Sequence, residues 1–383
     1  MEQHESNRAA RIRLLTQTAP DTLMGKLLRT FWHPVSTSKN LAPGTARAIR
    51  ILSEDLTLYR GESGAPFLIG ARCAHRCTEL HTGWVQDEQI RCMYHGWRYD
   101  GSGQCTEMPA ETSARTEFVK IAGYPVYEYH GLIFAYMGEG PAPAFDLPRK
   151  DALEEPGIDI STREEVWDCN WLQQIENSLD STHLSFVHQW PTPTRLGAEI
   201  GATIPELEYE ETAAGIRQTA RRPNSVRVSN WTFPNNNNVL AAPPREGDPW
   251  INMLGWAVPI DDEQTLRIGI YSYPGGEIGA ELRRNGALCT SQAKDHASVI
   301  FDEHRLPDVG AADRIMAQDY AAVRGQGVIY DRTNEHLGAS DAGVALVRRI
   351  LFREIEAIRT GTPAKTWTRL ESAVNLQTLA PAT

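Results

Sequence analysis

The sequence predicts an α+β protein built from two units, a β-rich module followed by a unit that mixes helices with strands. From about residue 36 to 135, short runs of strand-forming residues such as ARAIRIL, LTLYR, PFLIG and GLIFAY lie between Gly, Pro and Asp turns. The stretch GEGPAPAFDLPRKDALEEPG then indicates a domain boundary, because it is rich in Pro and Gly. Helical and alternating patterns after this stretch indicate the mixed unit.

The first predicted element is an amphipathic helix over residues 13–32, which leads into the segment WHPV. After the boundary, Asn170 is positioned to cap a helix that runs through WLQQIENSLDSTHLSF. In the segment Leu266–Tyr273, Leu and Ile alternate with Arg, Gly and Tyr, which is typical of a half-buried strand. The run of four asparagines at 235–238 predicts a loop.

The last predicted element is a helix near the C-terminal end of the chain. Ser340 or Asp341 is its candidate cap, and it runs to about Arg359. Gly361 is expected to stop it, because glycine readily adopts the left-handed conformation that ends a helix.

Charge and hydropathy restrict the class of function. The formal net charge of −11 argues against nucleic acid or an anionic membrane as a partner, since these require a basic surface. No apolar stretch approaches the ~20 residues needed to cross a bilayer, and the N-terminal segment lacks the apolar core of a signal peptide. We therefore expect a soluble, cytoplasmic protein without nucleic-acid or membrane partners.

Cysteine and histidine residues form the first candidate site. Three of the six cysteines fall within 20 residues and are mixed with histidines, which in a cytoplasmic chain indicates metal binding rather than disulfides. Cys73 and His75 form one pair, Cys92 and His95 form a second, and 16 residues separate the pairs. Two thiolates and two imidazoles from two loops are the ligands of a mixed-ligand [2Fe–2S] cluster. A zinc ion with the same four ligands is the alternative, although the β-rich surroundings argue against it.

The segments CAHRC and CMYHGWRYDGSGQC resemble the Rieske motif of aromatic-ring-hydroxylating oxygenases, in which C-P-H-R-G and C-x-Y-H-G-W are typical. Ala74 stands where Pro is usual, and Cys77 stands where Gly is usual. Rieske proteins of respiratory complexes differ, since they carry an extra disulfide and a Ser where Tyr94 and Trp97 stand here. Fewer hydroxyl donors near the sulfurs predict a cluster of lower potential.

A second candidate site lies in the segment Glu176–His188, which resembles the N-x-x-D-x-x-H-x-x-x-x-H signature of the same family. Non-haem Fe(II) oxygenases bind iron with two histidines and one carboxylate and leave other coordination positions open. His183 and His188 are the histidines of this pattern. Residues five apart point ~140° apart on a regular α-helix. We therefore expect the helix to end, kink or widen between Leu184 and Val187.

The carboxylate ligand must come from later in the chain, where four acidic residues are candidates: Asp302, Glu303, Asp313 and Asp319. The segment MAQDYAAVRGQGVIYDRTNEHLGASD resembles the C-terminal iron-ligand segment of the family, in which the carboxylate follows a Gln. The resemblance therefore implies that Asp319 is the third ligand of the Fe(II). A solvent-exposed acid on a helix is the alternative.

Two residues beside the histidines have further expected roles. Asn177 is predicted to approach the iron without binding it, or to be an ordinary polar helix residue. Asp180 precedes His183 by three residues, so it can accept a hydrogen bond from the imidazole N–H that faces away from iron. The resemblance implies that this Asp also contacts a cluster histidine of an adjacent subunit, here His95 or His75. Asp180 would then join both redox centres; a surface acid or a local cap is the alternative.

The resemblance covers about residues 20–355 and implies a Rieske [2Fe–2S] β-sandwich domain inserted into a helix-grip catalytic domain. The Rieske domain is expected at 36–150, with residues 1–35 as the N-terminal helical part of the catalytic domain and 151–383 as its mononuclear-iron part. The chain resembles the phthalate-oxygenase-like branch, which lacks a small subunit. Such oxygenases form homotrimers and receive electrons from a flavin and iron–sulfur reductase, or a ferredoxin, that uses NAD(P)H.

We therefore expect the terminal oxygenase of a multicomponent system for aromatic-compound catabolism, with O2 as co-substrate. The expected substrate is a small aromatic compound, carboxylated ones included. An O- or N-demethylating monooxygenase on the same scaffold is one alternative, and a non-catalytic Rieske electron carrier is another. A carrier would contain equal iron and acid-labile sulfide, whereas the enzyme would contain about three irons per two sulfides.

Residues that bind substrate or electron donor are less clear from the sequence. Five large side chains are candidates for the substrate pocket, although most such residues pack in cores: Trp231, Phe233, Trp250, Met253 and Trp256. Three arginines are candidates for pairing with a substrate carboxylate: Arg217, Arg221 and Arg222. Four arginines beside the cluster ligands predict a basic surface for an acidic donor, or ion pairs within the protein: Arg72, Arg76, Arg91 and Arg98.

Overall fold

The computed structural model describes residues 2–147, 153–188, 200–241 and 247–366, and these fall into two units. The β-rich unit comprises residues 18–145 and 258–261. The mixed unit comprises residues 1–17, 146–257 and 262–383. Since the first 17 residues belong to the mixed unit, the β-rich unit is inserted in its sequence. Within the described ranges, no helix is long and apolar enough to span a bilayer.

Three small antiparallel sheets form residues 18–145, which are described without a gap. Their strands are β1 (Trp32–Thr37), β2 (Ala46–Ile51), β3 (Glu54–Arg60), β4 (Pro66–Gly70), β5 (Trp84–Gln86), β6 (Gln89–Arg91), β7 (Arg98–Tyr99), β8 (Cys105–Glu107), β9 (Gly123–Tyr124), β10 (Val126–Tyr129) and β11 (Leu132–Tyr136). The strand orders are β1-β11-β10, β2-β3-β4-β9 and β5-β6-β7-β8. One cluster loop precedes β5, and the other joins β6 to β7.

The helix predicted over residues 13–32 is wrong in its extent, because the chain forms two helices instead: α1 (Glu2–Thr16) and α2 (Leu23–Arg29). Thr22 begins α2 by accepting a hydrogen bond at its side-chain oxygen. The buried Arg29 ties α2 to the β-rich unit, since its guanidinium donates to the Leu52 carbonyl at 2.7 Å. This contact agrees with the place of α2 in the unit that begins at residue 18.

A seven-stranded sheet is the centre of the mixed unit as described, with the order β12-β18-β17-β16-β15-β14-β13. Its strands are β12 (Ile158–Trp167), β13 (Glu206–Glu211), β14 (Gly215–Arg222), β15 (Ser225–Thr232), β16 (Asn236–Ala241), β17 (Ile251–Pro259) and β18 (Thr265–Pro274). The predicted strand at Leu266–Tyr273 is confirmed as part of β18. The helices are α3 (Trp171–Ser178), α4 (Leu184–Val187), α5 (Gly276–Arg284), α6 (Ala293–Glu303), α7 (Ala311–Gly325) and α8 (Ala342–Thr360).

The loop predicted for the asparagine run at 235–238 was wrong for all but Asn235, because the other three asparagines lie in β16. Asn236 and Asn238 lie in β16 near the middle of the sheet and are buried. Their amide groups donate to β17, from Asn236 to the Gly255 carbonyl at 3.0 Å and from Asn238 to the Met253 carbonyl at 3.2 Å. Because these hydrogen bonds pair the buried amide nitrogens of both residues, a polar run can form an interior strand.

The predicted C-terminal helix is confirmed as α8, which ends at Thr360 where Gly361 has a φ of 68°. Asp341 occupies the cap position, but its side chain makes no cap hydrogen bond to α8. It accepts instead from the Gly338 N–H at 2.7 Å. The carboxylate therefore closes the short turn that precedes the helix.

Buried ion pairs join α3 to the end of the chain. Glu176 accepts hydrogen bonds from Arg332 at 2.7 Å and from Arg348 at 2.6 Å, and Arg348 also donates to Glu335 at 2.9 Å. All four side chains are at most 10% exposed. Since each buried charge has an opposite charge beside it, the desolvation cost of the group is offset only while every member is in place.

Candidate active site and cluster-binding loops

Two loops of similar shape deliver the cysteine and histidine pairs. The Cys77 N–H donates to the Cys73 carbonyl at 2.9 Å, and the Gly96 N–H donates to the Cys92 carbonyl at 3.1 Å. The last residue of each loop has a left-handed backbone conformation, with a φ of 60° at Cys77 and 74° at Gly96. Glycine adopts this conformation readily, whereas it costs other residues about 1–2 kcal/mol. Cys77 therefore occupies a strained position where the family has glycine.

The four predicted cluster ligands lie together. The Cys73 and Cys92 thiols are buried, and the rings of His75 and His95 have centroids 4.4 Å apart. Trp97 stacks on His75 at 4.6 Å with an interplanar angle of 7°. Nδ1 of His75 is buried and lacks a hydrogen-bond partner among the described residues, as expected of a nitrogen whose partner is a metal. The residues present therefore fit a [2Fe–2S] cluster.

Tyr99, which was missed in the sequence, lies against a cluster ligand. Its hydroxyl oxygen is 3.2 Å from Sγ of Cys73 and accepts a hydrogen bond from the Ala74 N–H at 3.0 Å. The Ala74 N–H already donates to this oxygen, so the hydroxyl proton can be directed at the sulfur. The sequence predicted few hydroxyl donors near the cluster sulfurs, and Tyr99 is one such donor. The signal in the sequence was a tyrosine four residues after His95.

Tyr99→Phe is expected to lower the reduction potential of the cluster by about 40 mV. One hydrogen bond to a thiolate stabilises the more negative, reduced state by about 1 kcal/mol. Tyr59→Phe is the matched control, because the buried Tyr59 hydroxyl donates to the Glu88 carbonyl and not to a ligand. Spectroelectrochemical titration of the visible absorption measures both variants. Equal potentials for Tyr99→Phe and the unaltered protein would rule out this donation.

The four arginines beside the cluster ligands do not form a surface of unpaired positive charge. Three of them pair with acids of the same unit: Arg72 with Glu79 at 3.3 Å, Arg91 with Glu107 at 2.6 Å and Arg98 with Asp87 at 2.8 Å. The guanidinium of Arg76 instead lies over the Tyr94 ring, 5.2 Å from its centroid. The alternative of ion pairs within the subunit therefore applies to three of the four.

The helix that carries the second candidate site ends earlier than its sequence pattern suggested. Asn170 caps α3 as predicted, since its side chain accepts from the Leu172 N–H at 3.2 Å. The helix ends at Ser178, and the carboxylate of Asp180 then accepts from the Thr182 N–H at 2.7 Å. A side-chain acceptor of this kind competes with helical hydrogen bonds, which accounts for the break.

His183 and His188 flank the single-turn helix α4. The Val187 N–H donates to the His183 carbonyl at 2.7 Å, and His188 leaves helical geometry with φ −108° and ψ 21°. The break was predicted between Leu184 and Val187, but these residues form a regular helical turn, so its predicted position was wrong. The chain breaks before His183 and again at His188, and these two departures allow both rings to face one point.

Asp319 in α7 meets both histidines. Its Oδ1 lies 3.1 Å from Nε2 of His188 and 3.5 Å from Nε2 of His183. One ligand atom from each of the three residues lies within 4.8 Å of the other two. Two atoms bound to a metal at about 2.1 Å and at right angles are about 3.0 Å apart. The spacing and the donor set therefore fit a mononuclear iron.

The charges around these residues favour a cation. Although burial opposes it, the carboxylates of Asp180 and Asp319 raise the pKa of His183 to about 9. Burial likewise acts to raise the pKa of Asp319, but the two histidines hold it well below its usual range. Nδ1 of His188 lies 3.0 Å from the Gln318 side-chain oxygen, so that Nε2 is left to bind metal. Gln318 is the Gln that precedes Asp319 in the sequence, but the sequence did not predict its contact with His188.

The other candidate carboxylates lie elsewhere. Asp302 and Glu303 are exposed at the end of α6. Asp313 is buried, but its carboxylate accepts from the backbone N–H groups of Thr290 and Ser291 at 2.9 and 3.0 Å. These contacts give Asp313 a structural role and leave Asp319 as the carboxylate beside the histidines.

Asp180 lies next to His183 as expected. Its Oδ2 is 3.6 Å from Nδ1 of His183, which is longer than a hydrogen bond but close enough for charge attraction. Burial acts to raise the pKa of Asp180, but His183 and two backbone N–H groups lower it. The side chain of Asn177 lines the adjoining cavity. The roles of both residues in catalysis stay predictions.

A cavity of about 260 Å³ borders His183, His188 and Asp319. A cavity of about 150 Å³ is large enough for benzene, so the space bounded by the described residues accepts a substituted ring. Its walls are mostly apolar and include three of the five predicted pocket residues: Trp250, Met253 and Trp256. Trp231 and Phe233 are buried and do not line it, so their role is core packing.

Two arginines that line the cavity, Arg227 and Arg267, are not among those predicted, and Arg267 lies 3.7 Å from Glu165. Arg217 and Arg221 are exposed and pair with Glu210 and Glu208, and Arg222 donates to the Thr203 carbonyl. None of the three lines the cavity, whereas Arg227 does. Arg227 lies opposite Ala220 in the β14–β15 pair, so it is on the other face of the sheet from Arg217 and Arg221.

Comparisons with known proteins agree with this arrangement. Residues 31–125 match the model of the Rieske [2Fe-2S] domain, and residues 167–238 match that of the vanillate O-demethylase oxygenase C-terminal domain. The 5,5'-dehydrodivanillate O-demethylase oxygenase subunit of Sphingobium sp. (strain NBRC 103272 / SYK-6) is 32% identical, over 94% of this chain and 83% of that protein. The chain belongs to the Rieske oxygenase family.

Other members of the family act on different compounds. The tert-butanol monooxygenase / tert-amyl alcohol desaturase oxygenase subunit of Aquincola tertiaricarbonis is 34% identical, over 88% of this chain and 75% of that protein. The phthalate 4,5-dioxygenase oxygenase subunit of Pseudomonas putida is 28% identical, over 92% and 87%. The solved structure of Pseudomonas putida CBB5 NdmA with caffeine has the same fold, with a TM-score of 0.66, 21% identity and coverage of 87% and 93%.

Membership of the Rieske oxygenase family confirms the predicted fold class and reaction class. The chain is a terminal oxygenase subunit and hence an oxidoreductase, with a Rieske [2Fe–2S] domain and a catalytic domain. The zinc site and the non-catalytic electron carrier are excluded, because the domain match is to a Rieske domain and the relatives are oxygenase subunits. The demethylase alternative is compatible with the family, since a demethylase is among the relatives.

Proposed function

We propose that this Rieske oxygenase hydroxylates a substituted aromatic compound that carries a carboxylate. The observation that carries the proposal is the convergence of His183, His188 and Asp319 at one largely apolar cavity. These residues would hold one Fe(II), and the cluster would be held by Cys73, His75, Cys92 and His95. When bound, the cluster supplies single electrons and the iron supplies the oxygen chemistry. The electrons come from NAD(P)H through a flavin and iron–sulfur reductase or a ferredoxin.

The residues of the cavity bind and orient the substrate. Apolar walls at Trp250, Met253 and Ile315 bury the ring and exclude water. Arg227 binds the carboxylate: its Nε is buried and has no hydrogen-bond partner among the described residues. Burial and the neighbouring Arg222 lower the pKa of Arg227 to about 10, so it is still a cation at neutral pH. Asp319 is a nearby negative charge, but the Nε–H of Arg227 still lacks an acceptor among the described residues, and a substrate carboxylate provides one.

The second part of the proposal concerns electron transfer. Subunits form a homotrimer in which Asp180 accepts from His183 of its own subunit and from His95 or His75 of the partner subunit. In support, 32% of the Asp180 side chain is exposed although it lies beside the buried Nδ1 of His183, which leaves one edge of the carboxylate accessible. Asn177 lies near the iron without binding it.

Metal analysis and a product assay test the proposed function. The purified holoenzyme should contain about three irons per two acid-labile sulfides. With NAD(P)H and a surrogate reductase, it is then offered benzoates, their carboxamides and unsubstituted arenes. Hydroxylated carboxylates are the expected products. Turnover of neutral arenes in preference to the matching benzoates would contradict the proposed substrate class.

O-demethylation is the second candidate, because the domain match and one relative are O-demethylases. A methoxybenzoate distinguishes the two reactions. Demethylation releases formaldehyde and leaves a phenol, whereas ring dihydroxylation keeps the methyl group and forms a diol. Formaldehyde in equal amount to the phenol would select this candidate.

Arg227→Met is expected to raise KM for a carboxylated substrate by about 30-fold or more, because removing one partner of a buried ion pair costs about 2 kcal/mol or more. KM for the matching carboxamide should change little. Arg217→Met is the matched control, since Arg217 is exposed and pairs with Glu210. Steady-state kinetics on both substrates measure the difference. Equal changes in KM for acid and amide would show that Arg227 does not recognise the carboxylate.

A further inference from the structure

A buried glutamine contacts both sequence neighbours of Asp180. Gln218, in β14, is 1% exposed. Its Nε2 donates to the Leu179 carbonyl at 2.5 Å, and its Oε1 accepts from the Ser181 hydroxyl at 2.5 Å. Because a carbonyl can only accept, the amide nitrogen must face Leu179, and the orientation of the side chain is determined. One amide therefore binds the backbone carbonyl before Asp180 and the side chain of the residue after it.

Tyr209 makes a second contact with the same carbonyl. Tyr209 and Gln218 lie directly opposite each other in the β13–β14 pair, and the Tyr209 hydroxyl donates to the Leu179 carbonyl at 2.8 Å. The Tyr209 ring packs against α8, where a Cβ at Gly343 would lie 2.3 Å from a ring carbon. Tyr209 thus connects the turn after α3 both to the seven-stranded sheet and to α8.

We propose that Gln218, supported by Tyr209, is a positioning residue for electron transfer between the two metal centres. It acts through Asp180, so this inference rests on the proposed role of Asp180 as the bridge. While Gln218 holds the Leu179 carbonyl and the Ser181 hydroxyl, Oδ1 of Asp180 stays bound to the N–H groups of Thr182 and His183. Oδ2 then stays directed at the His183 ring. Without Gln218, the carboxylate of Asp180 can rotate so that Oδ2 no longer faces Nδ1 of His183.

Gln218→Met tests the inference, because methionine keeps the length of the side chain and removes its hydrogen bonds with Leu179, Ser181 and Tyr209. We expect the pre-reduced cluster of the holoenzyme to be oxidised about 10-fold more slowly in a single turnover with O2 and substrate. The iron and sulfide contents should be unchanged. Amide hydrogen exchange of the holoenzyme gives a readout independent of activity, in which the Thr182 and His183 N–H groups exchange faster. Tyr209→Phe removes the hydrogen bond to the Leu179 carbonyl and the one accepted from Gln218, and leaves Gln218 in place. It should give a smaller slowing, even if Gln218→Met does not fold.

The same substitution in an Asp180→Asn background identifies the route of the effect. If Gln218 acts through the carboxylate, Gln218→Met adds no further slowing there. Gln292→Met is the matched control, since it removes a glutamine amide that donates to the Glu164 carbonyl in another part of the fold.

Three outcomes would overturn the inference, and they differ in what else they overturn. Cluster oxidation at the normal rate in Asp180→Asn would remove the proposed bridge and, with it, any role for Gln218 through that bridge. Slow oxidation in Asp180→Asn with a normal rate in Gln218→Met would remove only the role of Gln218. Equal slowing by Gln218→Met with and without Asp180 would show that the glutamine acts on another group, such as the substrate.

Discussion

Asp319→Ala is expected to abolish oxygenation while the protein keeps its [2Fe–2S] cluster. Changes to residues that only contact a metal ligand already cost about 10–100-fold in affinity or activity, so loss of a ligand should cost at least about 100-fold in iron affinity. Total iron should therefore fall from about three to about two per two sulfides. The visible spectrum of the cluster should be unchanged, because its ligands belong to the other unit.

Asp302→Ala is the control for this experiment. Asp302 is exposed at the end of α6, although the sequence made it a candidate ligand. Iron analysis, sulfide analysis and a product assay on the two variants separate ligand loss from a general effect of removing an acid. If Asp319→Ala retained all of its iron and Asp302→Ala lost some, the assignment of the third ligand would be wrong.

Asp180→Asn is expected to keep both metals and the oligomer but to slow electron transfer from cluster to iron by about 100-fold. The amide lacks the negative charge and can accept hydrogen bonds at only one of its two atoms, so it cannot accept strongly from two imidazoles. Single-turnover measurement on the pre-reduced variant follows cluster oxidation and product formation together. Both should slow by the same factor.

Asp302→Asn provides the matched control for this charge removal. Its cluster should be oxidised at the unaltered rate, because Asp302 is exposed at the end of α6 and is not one of the residues gathered at His183 and His188. Normal cluster oxidation and normal product formation in Asp180→Asn would exclude Asp180 as the bridge. Loss of iron in Asp180→Asn would instead assign Asp180 a role in holding His183.

The parts of the site that could be predicted are those in which the chemistry is local in sequence. Cys73 and His75 are in one loop, and His183 and His188 flank one turn, so spacing alone brings each pair together. Asp319 lies more than 130 positions beyond His183, and only the family resemblance indicated it. The break after Ser178 was misplaced, because the acceptor that causes it, Asp180, was considered only as a partner of His183.

The residues that were missed are positioned by strand register. Gln218 reaches Leu179 only because β14 lies beside β13 in one particular alignment, and Arg227 faces the cavity only because of its place in β15. A shift of one residue would turn either side chain to the other face of the sheet. The asparagines of β16 were missed for a related reason, since their partners are backbone carbonyls of β17, which no sequence pattern reveals.

The ion pairs beneath α3 have a consequence for how the protein is made. Glu176 and Arg348 are 172 positions apart, so at about 5–20 residues per second a ribosome needs roughly 9–34 seconds to supply this partner. Until then, Glu176 has no complete set of counter-charges, and an uncompensated charge opposes burial of the helix. The cysteines and histidines of the cluster emerge within residues 18–145, long before this point. The order of the chain therefore favours insertion of the iron–sulfur cluster into the nascent protein first and of the single iron last.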